Sequence, residues 1–156
     1  MLLLCNYYVT YRCNAACEFC HFADHEKFKN TKDTDFAVFE NNVNQLAKMG
    51  VKFIDLTGGE PLLNKNIHKM AELCRKLKMQ TSITTNGLLY PKFAEKLAGN
   101  VNLLHFSLDS PDEEEHNKIR RIDCYKHVFK SLEIAKSIGE YPDILFTVTN
   151  DTYKKL

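Results

Sequence analysis

The strongest constraint on the fold is a regular alternation of short strand-like runs with amphipathic helical segments. Runs rich in β-branched and aromatic residues predict strands at 5–10, 51–56, 80–84, 101–108 and 144–149. Between them, apolar residues recur at helical spacing, which predicts helices over about 34–50, 64–78, 91–98 and 110–139. Strands that alternate with helices in this way usually run parallel and are joined by right-handed crossovers. We therefore predict a single α/β domain over residues 1–156, with a further helix beginning near residue 151.

Residues at the expected helix ends fit this pattern. Asp33 or Thr34 is expected to cap the first helix, and Gly50 to end it. In the fourth helix, Ser110 is the expected cap and Pro111 falls in the first turn. The acidic run at 112–115 then faces the positive end of the helix dipole, and a cation site is its alternative interpretation.

Alternate residues are polar on most of the predicted strands, which places polar side chains on one face of the sheet. They are Asn6, Tyr8, Thr10, Asp55, Thr57, His105, Ser107, Asp109, Thr147 and Thr149. A flat sheet with helices on both faces carries mostly apolar side chains. A curved sheet around a wet cavity accommodates a polar face better, so we predict a partial (β/α) barrel of TIM-like type rather than an open doubly wound sheet. On this face His105 and Asp55 are candidate substrate contacts, with buried structural roles as equally good interpretations.

Three cysteines lie within eight residues directly after the first predicted strand, in the spacing Cys13-x-x-x-Cys17-x-x-Cys20. Loops at the carboxyl ends of barrel strands are where such folds carry their chemistry. Three thiolates without a fourth nearby fit a 4Fe–4S cluster in which the fourth iron is open to a small-molecule ligand. The alternative is structural zinc with His21 or His25 as the fourth ligand, although zinc sites usually show paired C-x-x-C knuckles and the sequence has no second pair.

The composition argues against several other function classes. Lys and Arg total 21 and Asp and Glu total 20, so nucleic-acid binding is disfavoured. The apolar residues 1–5 are too few for a signal peptide or a membrane span, and we expect a cytoplasmic protein with no membrane partner. Cys5, Cys74 and Cys124 show no ligand spacing and are expected to be small buried hydrophobic residues.

Polar and glycine-containing motifs also follow the next predicted strands. Gly58 and Gly59 would let the backbone approach a ligand closely, and the adjacent Glu60 suits an ammonium group. At the end of the fourth strand, Ser107 could bond a carboxylate and Asp109 a ribose hydroxyl. Taken singly, each of these residues is explained equally well as part of a turn or as a solvated polar side chain.

Together the motifs resemble those of the radical S-adenosylmethionine (radical SAM) superfamily, in the group that holds the molybdenum-cofactor cyclase and the peptide-modifying maturases. The resemblance rests on Cys13-x-x-x-Cys17-x-Phe19-Cys20, on Leu-Thr-Gly-Gly-Glu-Pro at 56–61, on Thr85-Asn86-Gly87 and on Ser107-Leu108-Asp109. These motifs occur in family order over essentially the whole chain.

The resemblance implies that Cys13, Cys17 and Cys20 hold a 4Fe–4S cluster whose open iron is chelated by the methionine end of S-adenosylmethionine. The implied cofactor contacts are Phe19 for the adenine, Gly58, Gly59 and Glu60 for the amine, Thr85 or Asn86 and Ser107 for the carboxylate, and Asp109 for the ribose. An electron passed through the cluster would cleave the cofactor to methionine and a 5′-deoxyadenosyl radical, which would abstract a hydrogen atom from the substrate. His116 and Arg120 also look family-like, and we interpret both as structural.

The resemblance further implies a small-molecule or peptide substrate and an electron donor such as flavodoxin or ferredoxin. The family core is typically a six-stranded partial barrel, whereas this sequence supplies five strands, so we expect a radical SAM core that is truncated after about the fifth strand. A split protein and a minimal variant are the competing explanations. The alternative functions are a non-catalytic iron–sulfur module for electron transfer or partner docking, and a zinc-stabilised binding domain.

Overall fold

In the computed structural model, which describes residues 3–22, 28, 30–150 and 152–153, the strands form one parallel five-stranded sheet. They are β1 (Leu3–Thr10), β2 (Val51–Gly58), β3 (Gln80–Thr85), β4 (Leu103–Ser107) and β5 (Asp143–Leu145). Their order in the sheet is their order in the chain, and every neighbouring pair is parallel. Within the described residues β1 and β5 are not paired with each other, so the sheet is a partial, open TIM-like barrel. The predicted fold class is confirmed.

Within the described part of the chain, five α-helices connect the strands and cover the apolar face of the sheet. They are α1 (Phe36–Lys48), α2 (Ile67–Lys76), α3 (Tyr90–Leu97), α4 (Glu113–Arg120) and α5 (Tyr125–Ser137), with a short 3₁₀ helix at Pro61–Leu63. The core packs strand residues such as Ile54 and Ile83 against helix residues such as Phe39 and Met70, all fully buried. Each such side chain contributes about 1.5–3 kcal/mol by its removal from water. This apolar layer fixes which face of the sheet is left for the site.

The opposite face of the sheet is polar, as predicted. The strand register places Asn6 beside Asp55, Asp55 beside Ser82, and Thr84 beside His105. Paired residues of parallel strands point to the same side of the sheet, so these side chains share the inner face. The Ser82 hydroxyl donates a hydrogen bond to Asp55 Oδ1 at 2.5 Å. The sequence prediction had not included Ser82 or Thr84, which extend the polar face across β3.

Two helix caps differ from the prediction. The side chain of Asp35, rather than that of Asp33 or Thr34, caps α1 by accepting a hydrogen bond from the backbone N–H two residues later at 2.8 Å. The side chain of Asp112, rather than that of Ser110, caps α4 in the same way with the N–H three residues later at 2.8 Å. In both cases more than one capping residue lies within three positions, and the one adjacent to the first helical residue reaches the free N–H groups.

The helix predicted over 110–139 is in fact two helices. Arg121 adopts a left-handed conformation, with φ of 53°, and ends α4. The side-chain oxygen of Asn117 then accepts hydrogen bonds from the N–H groups of Cys124 and Tyr125, at 3.0 and 2.9 Å, where α5 begins. An amide side chain that competes for backbone donors breaks a helix without changing its apolar periodicity, so the prediction was wrong at this point.

Strand β5 is shorter than the predicted 144–149 because the chain leaves the sheet after Leu145. The backbone N–H of Thr147 instead donates to the buried Asp109 Oδ1 at 2.9 Å. Residues 151 and 154–156 lie outside the described residues, so the helix expected from about residue 151 stays a prediction. Among the helices that the structure describes, none combines the length and the apolarity needed to cross a membrane.

Candidate functional site

The loop that carries Cys13, Cys17 and Cys20, called the cysteine loop below, leaves β1 at the carboxyl end of the sheet and contacts the end of α4. The backbone N–H of Ala16 donates to the carbonyl oxygen of Arg120 at 3.3 Å, and that of Glu18 donates to the carbonyl oxygen of Ile119 at 2.9 Å. The last carbonyl groups of a helix have no partner within the helix, so they are available for such contacts. The loop position is therefore set by a helix that lies about 100 residues later in the sequence.

The thiols of Cys13, Cys17 and Cys20 line one cavity of about 210 Å³. The ends of β2, β3 and β4 and the side chain of Arg120 form other parts of its wall. The predicted cofactor contacts that line this cavity are Phe19, Gly58, Gly59, Glu60, Thr85, Asn86 and Ser107. The structure thus brings together the three cysteines and every predicted cofactor contact except Asp109, while the role of each residue stays a prediction.

The cavity offers three cysteine thiols as its metal-binding donor set, and burial affects two of them. Burial raises the pKa of Cys13 to about 11 and also raises that of Cys17, so metal binding must release protons at neutral pH. Within the described ranges, no three Cys, His, Asp or Glu side chains surround the position of a single metal ion. Zinc needs four ligands on one ion, whereas a cubane takes one thiolate on each of several irons. Three thiolates match the donor set of such a cluster; His25, a suggested zinc ligand, lies outside the described residues.

The glycine pair at 58–59 holds the end of β2 against the cysteine loop. A Cβ atom on Gly58 would lie 2.0 Å from the carbonyl oxygen of Thr10, and one on Gly59 would lie 2.4 Å from that of Arg12. The approach is fixed by two backbone hydrogen bonds, from Gly59 to Thr10 at 3.1 Å and from Glu60 to Arg12 at 2.9 Å. The absence of side chains is thus required by contact with the end of β1 at Gly58 and with the cysteine loop at Gly59, independently of any ligand.

The carboxylate of Glu60 connects the ends of β2 and β3. It is 2% exposed, and burial raises its pKa. Its oxygens accept hydrogen bonds from Leu62 N–H at 3.1 Å, from the Thr85 hydroxyl at 2.8 Å and from Asn86 N–H at 2.9 Å. Asn86 in turn donates through its side chain to Asn14 Oδ1 in the cysteine loop at 2.7 Å. Glu60 therefore orients two other predicted cofactor contacts.

Asp109 lies behind the cavity wall and not on it. It is fully buried, and its Oδ2 faces Arg120 Nε at 2.5 Å as an ion pair without good hydrogen-bond alignment. Its Oδ1 accepts the N–H of Thr147. Both carboxylate oxygens are thus occupied by protein groups, and the ribose contact expected from the sequence stays a prediction without support from this geometry.

Arg120 is a site residue that the sequence interpretation missed, since we had interpreted it as structural. Its guanidinium lines the cavity, with Nη1 3.6 Å from Cys17 Sγ and Cζ 5.4 Å from the centre of the Phe19 ring. A cation over an aromatic ring at this distance is attracted to it. The available signal was a charged residue one helical turn after His116, on the face of α4 that is buried.

The structural interpretation of His116 agrees with its contacts. The residue is fully buried, its Nδ1 accepts the N–H of Asp109 at 3.1 Å, and its Nε2 lies 3.2 Å from Cys124 Sγ. Burial lowers the pKa of His116, which favours the neutral imidazole with its proton on Nε2. Cys74 and Cys124 are buried as predicted, whereas Cys5 is only partly buried.

The fold and site define a class: an open parallel α/β barrel with a thiol-lined cofactor cavity at the carboxyl ends of its strands. The family model described as the radical SAM superfamily matches residues 7–154. This chain therefore belongs to the radical SAM superfamily, whose cofactors are a 4Fe–4S cluster and S-adenosylmethionine. The resemblance and the cofactor prediction are confirmed at the level of the family.

Similar proteins include the probable GTP 3′,8-cyclase of Methanocaldococcus jannaschii, which is 30% identical over 140 residues, covering 86% of this chain and 45% of that protein. The GTP 3′,8-cyclase of Desulforamulus reducens is 32% identical over 143 residues, covering 86% and 42%. The crystal structure of Streptococcus suis SuiB bound to S-adenosylmethionine covers 99% of this chain and 36% of that chain, with a TM-score of 0.81 and 23% identity. That likeness concerns the fold. The chain spans less than half the length of these curated relatives.

Proposed function

We propose that this chain is the cofactor-binding part of a radical SAM enzyme, in which Cys13, Cys17 and Cys20 hold a 4Fe–4S cluster beside bound S-adenosylmethionine. The observation that supports this assignment is that the three thiols, the glycine pair and the polar ends of β3 and β4 line one cavity. When bound, the cluster would supply the electron for reductive cleavage of S-adenosylmethionine, which would yield methionine and a 5′-deoxyadenosyl radical able to abstract a hydrogen atom from the substrate. The chain positions these groups and excludes competing reactions.

The contacts favour different roles for the polar residues of the cavity. The Thr85 hydroxyl donates to Glu60 and accepts the N–H of Gly87 at 3.1 Å, so its main role is to hold Glu60. Ser107 ends β4, is 7% exposed and lines the cavity, which makes its hydroxyl the better donor for the cofactor carboxylate. Glu60 keeps acceptor capacity beyond its three protein donors, and we assign the cofactor amine to it and to the adjacent glycine backbone.

The substrate is proposed to lie on the polar inner face of the barrel, where Asp55, Ser82 and His105 offer hydrogen-bonding groups. The names of the relatives specify a cyclase of GTP, and one SuiB structure is bound to the precursor peptide SuiA. By analogy we propose a small-molecule or peptide substrate. An electron donor such as flavodoxin or ferredoxin would act with it in the cytoplasm, where thiols stay reduced.

The test is anaerobic reconstitution with iron and sulfide, followed by electron paramagnetic resonance (EPR) of the reduced chain with and without S-adenosylmethionine. We expect about four irons per chain, the stoichiometry of one 4Fe–4S cluster, and a spectrum that changes when the cofactor is added. Each of the variants Cys13→Ser, Cys17→Ser and Cys20→Ser should fail to load the cluster, whereas Cys5→Ala is the matched control, because Cys5 lies on β1 outside the cavity.

Three outcomes separate the alternatives. A loaded chain whose spectrum ignores S-adenosylmethionine would favour a non-catalytic iron–sulfur module. Stoichiometric zinc without iron after anaerobic purification would favour the zinc-stabilised domain. Loading that survives Cys17→Ser but fails in Cys5→Ala would contradict the ligand assignment itself.

A further inference from the structure

The guanidinium of Arg120 is a charged group in the wall of the cofactor cavity, although the residue is only 8% exposed. Burial of a charge is costly unless it is paired. Here the pairing is asymmetric: Nε faces the carboxylate of Asp109, while Nη1 is directed at the sulfur of Cys17, 3.6 Å away. The charge at the Nε end of the guanidinium is thus neutralised by Asp109, whereas the Nη1 end faces Cys17, a proposed cluster ligand.

We propose that Arg120 is a positioning residue that raises the reduction potential of the cluster through an N–H···S hydrogen bond to Cys17. This inference rests on the proposed function. Hydrogen bonds to the sulfurs are among the features by which a protein sets the potential of an iron–sulfur cluster. A donor on the sulfur stabilises the additional negative charge of the reduced state, and a charged donor does so more strongly than a neutral one.

Asp109 limits and directs this effect. Its carboxylate is fully buried, its Oδ1 is held by Thr147 N–H, and its own N–H is held by His116. It therefore cannot move away from Arg120 without breaking several contacts. Its negative charge fixes the orientation of the guanidinium and cancels part of the positive charge that Cys17 experiences. Removal of the two partners should consequently shift the potential in opposite directions.

The side chain and the backbone of Arg120 act on the cysteine loop separately. The carbonyl oxygens of Ile119 and Arg120 hold the loop by hydrogen bonds from Ala16 and Glu18. Those contacts do not depend on which side chain occupies position 120. A side-chain substitution should therefore leave the loop docked on α4. Arg120→Met also leaves the buried carboxylate of Asp109 without its cation, so it should lower the stability of the fold as well as change the environment of the Cys17 sulfur.

The experiment is an EPR-monitored redox titration of the reconstituted chain without S-adenosylmethionine. We expect Arg120→Met to lower the ratio of reduced to oxidised cluster at a fixed potential by about tenfold, which is about 59 mV for one electron. We expect Asp109→Asn to raise that ratio. Arg75→Met is the matched control. Arg75 is exposed on α2 and lines neither of the cavities that the cysteines line, so screening by water should leave the ratio within about twofold of the wild type.

Iron content and circular dichroism accompany each titration. The inference is overturned if fully loaded Arg120→Met has the wild-type potential, or if Asp109→Asn shifts in the same direction as Arg120→Met. Should Arg120→Met bind no iron, Arg120→Lys decides, because it keeps the charge: failure of both to load would indicate a purely structural role. A wild-type chain that binds no cluster would contradict the proposed function as well, whereas a loaded wild type with unshifted variants would contradict this inference alone.

Discussion

Replacement of Gly59 by alanine would test whether the glycine pair serves the contact between β2 and the cysteine loop. The new Cβ atom would lie 2.4 Å from the Arg12 carbonyl oxygen and 3.0 Å from Cys13 Cβ. The two segments must part by about 1 Å to reach ordinary van der Waals distance. That movement lengthens the hydrogen bonds from Gly59 to Thr10 and from Glu60 to Arg12, now 3.1 and 2.9 Å. Overpacking and two weakened hydrogen bonds together should cost about 2–4 kcal/mol.

The assay is urea unfolding of the metal-free chain, followed by iron content after anaerobic reconstitution. Gly139→Ala is the matched control: its φ of 79° strains any side chain, but a Cβ there meets nothing within 4 Å. We expect Gly139→Ala to lose about 1–2 kcal/mol from backbone strain and to load normally. Gly59→Ala should lose more stability and also load poorly, because the displaced loop carries Cys13. Wild-type stability and normal iron content in Gly59→Ala would refute the steric explanation.

Two further predictions concern carboxylates near the site. Glu60→Gln should lose about 1–3 kcal/mol in urea unfolding, because its amide NH₂ takes the place of one carboxylate oxygen and cannot accept the hydrogen bonds made there: that of Asn86 N–H at Oε2, or those of Leu62 N–H and the Thr85 hydroxyl at Oε1. An unchanged midpoint would contradict the buried network. The hydrogen bond from Arg12 lowers the pKa of Asp33 below its usual value, so Asp33 stabilises the fold above the usual carboxyl pKa and loses this contribution as the pH falls through its lowered, folded-state pKa. Asp33→Asn should therefore be less stable than the wild type at neutral pH by up to about 1 kcal/mol, and this difference should shrink as the pH falls through the lowered pKa of Asp33. A difference that persists in acid would contradict this assignment.

The strand–helix alternation was sufficient to predict the sheet, because each element is amphipathic and its apolar face can be recognised locally. The polar inner face was also predictable, since the two-residue period of a strand is a local property. The errors lie where one side chain competes for backbone groups. Asn117 splits a helix that the apolar pattern joins, and Asp109 draws Thr147 away from the ladder that β5 would otherwise continue. Such competition depends on a single polar group and does not change the spacing of apolar residues from which helices and strands are predicted.

The contrast between Ser107 and Asp109 shows what limits the prediction of the site. Both follow the same alternation at the end of β4, and both were expected to contact the cofactor. Ser107 lines the cavity, whereas Asp109 forms an ion pair with Arg120, which the packing of α4 places beside it. A polar residue at a strand end can bind a ligand only if its polar atoms are not already paired with other protein groups. The position of the competing cation depends on tertiary packing, so the sequence could identify the cavity but could not predict that Arg120, rather than Asp109, would line its wall.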